Sequence, residues 1–170
     1  MSEAIPGMPP PPPPAAPRPA AVAVLYRRVG EDVEVFWVKR EKALRFAGGF
    51  YAFPGGKVDL ADADIDPEAR LDATPAQLHA ALGERGLEAA GAAVIYIAAL
   101  REAFEETGVL FAQGVDAARA AMATQLLREG RAFDEVLAMM ALRLEATRLQ
   151  PWVRWITPAV SKAQRCSAIG

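Results

Sequence analysis

A single α/β domain is the fold class this sequence predicts, and three observations predict it. At 170 residues and 52% apolar content, the chain is long enough to bury one sizeable core and too short for two comfortable ones. Runs rich in β-branched and aromatic residues crowd the first third, and helical periodicity dominates the middle of the chain. A strand-like run returns at "PWVRWITP", so the order is strand, strand, helix, strand, helix, strand, as in a layered α/β domain.

Taken in order, the first 19 residues hold six consecutive prolines, Pro9 to Pro14, which favour an extended polyproline II tail. They lack the basic and apolar regions of a secretory signal. The folded domain is expected over 20–170. "AAVAVLYRR" and "VEVFWVKR" flank the turn "VGED" and predict a hairpin of strands at about 21–28 and 33–40. "EKALRFAGGFYAFPGGKVD" reads as a loop with a short strand near Phe50 to Phe53, and its glycines allow a backbone to approach a ligand closely. Thr74 and Pro75 are placed as N-cap and first residue of a short helix ending near Gly83 or Gly86. A second helix is expected from Ala90 to Thr107, ended by Gly108 in a left-handed conformation. "VLF", Val109 to Phe111, reads as a buried strand. A third helical region begins at Asp116, and in it Phe133, Val136, Leu137, Met140 and Leu144 fall at helical spacing, with Met139 and Met140 as core filler. Trp152 and Trp155 sit three apart in the last strand, which directs them to opposite faces and at least one into the core.

Charge and cysteine use exclude several functions. With 19 basic against 21 acidic residues the chain has no electrostatic footprint for a nucleic-acid polymer. The apolar run "AAVIYIAAL" is bounded by Gly91 and Arg101 and falls short of the roughly 18 residues that span a bilayer. Cys166 is the single cysteine, which suits a reducing cytoplasm.

The chemistry concentrates in "REAFEETGVL". On a helix, Glu102, Glu105 and Glu106 project from one side, and Arg101 matches Glu105 at i+4. Glu102 and Glu106 are left without a cation nearby in sequence. A divalent ion would relieve the repulsion, and hard oxygen ligands of this kind suit magnesium or manganese together with substrate phosphates. A solvated charged face is the competing reading of the spacing alone. Upstream, Lys39, Arg40, Lys42 and Arg45 precede the glycine turn, where guanidinium groups meet phosphates well. His79, the one histidine, reads as a surface or packing residue.

"REAFEETGV" resembles the second half of the Nudix box, G-x5-E-x7-R-E-U-x-E-E-x-G-U with U apolar. Arg101, Glu102, Ala103, Glu105, Glu106, Gly108 and Val109 fill its defined positions, and "FPGGKVD" is similar to the strand and loop that open it. The spacing departs from the pattern: Arg101 lies 45 positions after Gly56 where the family has 14, so an insertion, placed at about 60–91, splits the motif. Six positions after Gly56 stands Asp62 and eight before Arg101 stands Ala93; Asp62 substitutes for the box glutamate or that role is lost.

The resemblance implies a Nudix-type α/β/α sandwich around a mixed sheet, with Gly55 and Gly56 facing a bound diphosphate. It implies a Mg2+ or Mn2+ ion held by Glu102, Glu105 and Glu106, with Glu105 and Arg101 as catalytic-centre residues, Arg101 orienting the glutamates. Arg40 and Arg45 become candidate substrate contacts. The split box is similar to the branch that includes the peroxisomal coenzyme A diphosphatases, which implies hydrolysis of a nucleoside diphosphate linked to another moiety, with CoA or acyl-CoA as the candidate. The alternative is a Nudix-fold module that binds nucleotides without turnover. It draws on the ending: the 12 residues after Pro158 show no amphipathic period and are too few for both a strand and a helix, which predicts a shortened chain with an uncovered apolar face.

Overall fold

A computed structural model describes residues 17–43 and 48–156, and the backbone of 166–169. The proline tract and Arg45 lie outside the described residues. The main sheet is mixed, as expected. Strand β1 (Arg18–Val22) is at its centre, and β2 (Tyr26–Val29) pairs with β3 (Asp32–Val35) in a separate hairpin. Strand β4 (Val38–Lys39) pairs with β5 (Tyr51–Ala52), and β6 (Gly55–Lys57) returns antiparallel to β1. The last two strands, β7 (Arg154–Ile156) and β8 (Cys166–Ile169), pair with each other, and β8 also pairs with β1 in parallel, so the order is β6-β1-β8-β7.

Several expectations need correction here. Strand β1 starts at Arg18, two residues ahead of the domain start expected at residue 20. The two long strands expected at 21–28 and 33–40 are each broken in two. The bond from the Ala23 N–H to the Pro54 carbonyl at 2.8 Å extends the β1–β6 ladder by one residue, and that from the Phe36 N–H to the Leu25 carbonyl at 2.9 Å extends the β2–β3 ladder. Beyond each, the chain passes to a different partner strand while its apolar pattern runs on. The ending, which shows no period, nevertheless supplies β8, whose backbone pairs with β1 on one edge and β7 on the other.

Helix α4 (Ala89–Thr107) is the axis of the molecule. Its apolar run is long because it is covered on two sides. Ile95, Ala98 and Ala99 pack on Ala21 of the sheet, where small side chains let helix and strand approach. Ala93, Ile97, Leu100 and Phe104, at i, i+4, i+7 and i+11, face a second layer of helices. Gly108 ends the helix with φ 75°, donating its N–H to Phe104 O as the sequence predicts.

That second layer contains the inserted segment. It comprises α1 (Leu60–Asp64), α2 (Pro67–Arg70) and α3 (Pro75–Leu82), the last capped by Thr74 and closed by Gly83 in the left-handed region. Beyond α4 come α5 (Ala117–Arg128), capped by Asp116, and α6 (Phe133–Met139). Ile65, Leu71 and Leu78 of the insertion share one core with Leu100, Phe104, Val136 and Leu137. The insertion is thus a structural layer and not a surface excursion.

Leu144 is buried as the helical spacing requires, but α6 ends at Met139 and Leu144 is extended. It bridges Leu71 and Ala112, its N–H bonding Arg70 O at 2.7 Å. Val109 to Phe111 is not a strand either; Val109 is exposed, and pairing is confined to the single bridge at Ala112. Met139 is exposed rather than core filler, and so are both Trp152 and Trp155. The hairpin β2–β3 also exposes Tyr26, Val29, Val33 and Val35.

Truncating Leu71 tests the role of the insertion. Leu71→Ala is expected to cost about 2–5 kcal/mol in urea unfolding, as for a fully buried leucine. Leu60→Ala, at a 92% exposed position of the same insertion, is expected to change stability by under about 0.5 kcal/mol.

Candidate active site

The site is assembled by one buried cation. Arg101 is 6% exposed and its guanidinium offers five N–H groups, each of which has an acceptor. Nε donates to Asp62 Oδ1 at 2.7 Å, and Nη2 donates to Asp62 Oδ2 at 3.0 Å and to the Lys57 carbonyl at 3.2 Å. Nη1 donates to Glu102 Oε1 and Glu105 Oε2, both at 3.0 Å. Asp59 adds a longer ion pair at 3.6 Å. Burial alone would lower the Arg101 pKa, but the hydrogen bonds and charge of Asp62, then the charges of Glu102 and Glu105, outweigh it and raise the pKa above its ordinary value. Arg101 is a permanent charge.

Asp62, six positions after Gly56, is the carboxylate that meets the buried guanidinium with both oxygens. It is 1% exposed, and besides the two-pronged bond to Arg101 its Oδ2 accepts the Asp59 N–H at 2.8 Å, which caps α1.

The glycine turn and the glutamates are in direct contact. A Cβ added at Gly56 would fall on the Glu102 carboxylate, and one at Gly55 would lie 2.7 Å from Val22 Cα, so each position needs glycine for close approach. The Gly55 N–H donates to Glu106 Oε2 at 3.2 Å. Glu102, Glu105 and Glu106 are thereby all fixed, the first by Arg101 and Gly56, the second by Arg101, the third by Gly55. Burial raises the Glu102 pKa most, opposed by the charge and hydrogen bond of Arg101 and reinforced by Glu105 and Glu106.

Among the described residues no three His, Cys, Asp or Glu side chains converge into a ready-made metal cage. The donor set nonetheless fits a hard cation. Each glutamate uses one oxygen in the bonds above and keeps the other without a hydrogen-bond partner among the described residues. Magnesium completes its shell with waters and phosphate oxygens and does not require a full protein cage. Arg40 is half-buried, its Nε has no partner among the described residues, and no contact joins it to the glutamates. His79 bonds the Glu84 carbonyl through Nε2 at 3.2 Å, away from this cluster.

No family model matches the chain. Its structure is similar to that of a NUDIX hydrolase from Alicyclobacillus acidocaldarius, at 27% sequence identity and a TM-score of 0.67, over 91% of this chain and 68% of that one. The fold is therefore a Nudix-type α/β fold, and the likeness supports a Nudix-type hydrolase.

Two substitutions probe this geometry. Gly56→Ala should displace the Glu102 carboxylate and lower turnover about a hundredfold, the scale of an ångström-sized misplacement, with the fold retained by circular dichroism. The second concerns pH without added metal. A carboxylate whose pKa is raised in the folded state favours folding below its unfolded value and loses that contribution as pH rises through the folded one. The parent is expected to lose melting temperature as pH rises above the ordinary carboxylate range, and Glu102→Gln to flatten that loss.

Proposed function

We propose that the chain is a Nudix hydrolase that cleaves the diphosphate of a nucleoside diphosphate linked to another moiety. The observation that carries this reading is the Arg101 guanidinium, which with the two loop glycines fixes three carboxylates at a position where a backbone approaches closely. With Glu105 beside them, Glu102 and Glu106 would hold Mg2+ or Mn2+, which when bound neutralises diphosphate charge and stabilises the developing negative oxygens. The turn at Gly55 and Gly56 admits the diphosphate beside them. Glu105, anchored by one oxygen on Arg101 and 40% exposed at its side chain, orients the attacking water with the other and takes its proton. The water oxygen bonds to one phosphorus as the bridging P–O bond breaks, and two phosphate monoesters leave. Arg101 orients Glu102 and Glu105 and transfers no proton.

The split motif makes coenzyme A and its acyl derivatives the first substrates to test, and the lone cysteine suits action in the cytoplasm. Among the described residues no helix is long and apolar enough to cross a membrane. The test is a hydrolysis screen with Mg2+ or Mn2+ across CoA, NADH, ADP-ribose, dinucleoside polyphosphates and oxidised nucleotides. One of these classes is expected to be cleaved, and Glu106→Gln to lower kcat about a hundredfold or more with the fold intact. Tight nucleotide binding with no turnover on any of them would instead establish the non-catalytic module.

A further inference from the structure

A cavity of about 570 Å3 lies along the half of α4 that precedes the glutamates, within the range of small-molecule pockets, roughly 300–1,000 Å3. Val22, Val35, Leu82, Ile95 and Ala99 line it, with Trp152 at its rim. Two of these connect it to the site above. Ala99 is one helical turn before Glu102, and Val22 pairs with Gly55, whose N–H holds Glu106. Ile95, Ala99, Glu102 and Glu106 form one stripe of α4, apolar at the cavity and acidic at the glycine turn.

The lining carries no carboxylate and little that reads a polar ligand. Arg148 is turned away, bonded to Glu145 at 3.2 Å and stacked over Phe111 at 4.9 Å. Tyr96 and Gln150 bring uncharged polar groups to the lining, the first a buried hydroxyl with no hydrogen-bond partner among the described residues, the second the single side-chain amide. A sugar or a base needs several converging donors and acceptors to replace its water, and a hydrocarbon needs none. An apolar guest would also cover surface otherwise open to solvent, since Tyr26 and Val35, cross-strand neighbours that both line the cavity, are exposed.

Resting on the diphosphatase reading, we infer that this cavity receives an uncharged, apolar group carried on the substrate's diphosphate. The test compares calorimetric affinities of the full chain, with Mg2+, for octyl and methyl methylenediphosphonate, whose bridging carbon resists hydrolysis, and for 1-octanol. The octyl compound is expected to bind at least tenfold tighter than the methyl one. Ala99→Leu, which fills the cavity, and Val35→Lys, at an exposed position that does not threaten folding, should each remove that advantage and leave the methyl compound's affinity unchanged. Equal affinity of the two diphosphonates, or an advantage that survives both variants, would overturn the inference while leaving the diphosphatase reading intact. If neither diphosphonate bound while 1-octanol bound in a manner sensitive to both variants, the diphosphatase reading would fall, and with it the assignment of the cavity to a substrate.

Discussion

Five N–H groups on one buried side chain hold this molecule's working parts in register. A buried guanidinium is tolerable only where its donors are met, and Arg101 meets all five with acceptors from three separate segments: Asp62 on α1, the Lys57 carbonyl on β6, and Glu102 and Glu105 on its own helix. Each acceptor is also placed by the others. Asp62 brings α1 against α4, Lys57 brings the strand that carries the glycine turn, and the two glutamates are thereby presented to that turn.

Much of this was legible in the sequence. The helix from about residue 90 to 107 is implied by its apolar run and Gly108, and the cap at Thr74 by a hydroxyl ahead of a proline. The glutamates could be singled out because like charges at i, i+3 and i+4 call for a partner. Even Asp62 stood at a countable distance from Gly56, although counting cannot decide whether a shorter carboxylate reaches its arginine. Only the position of α1 against α4 decides that.

What the sequence hides has a common physical cause. Burial of Leu144 and exposure of Trp152 and Trp155 depend on which surfaces meet in space, not on the period of the local pattern. Leu144 keeps helical spacing from Leu137 and Met140 yet is extended, because pairing with the insertion at Leu71 outweighs continuing α6. The strands at 21–28 and 33–40 break where the chain leaves one partner strand for another, a choice that leaves no trace in apolar patterning. The insertion reads in the sequence only as an interruption of a motif, but its leucines complete the core behind α4.

Asp62, fully buried, governs the carboxylates through Arg101. The direct measurement is the kcat/KM of Asp62→Ala for Mg2+-dependent diphosphate hydrolysis, taken below the variant's own melting temperature. With Asp62 gone, Arg101 keeps its charge but loses the two-pronged bond that fixes its plane, so Glu102 and Glu105 lose their common anchor. The predicted result is a fall of about tenfold to a hundredfold, the usual scale for residues that support metal ligands. A folded Asp62→Ala that hydrolyses its substrate at the parent's rate would contradict it.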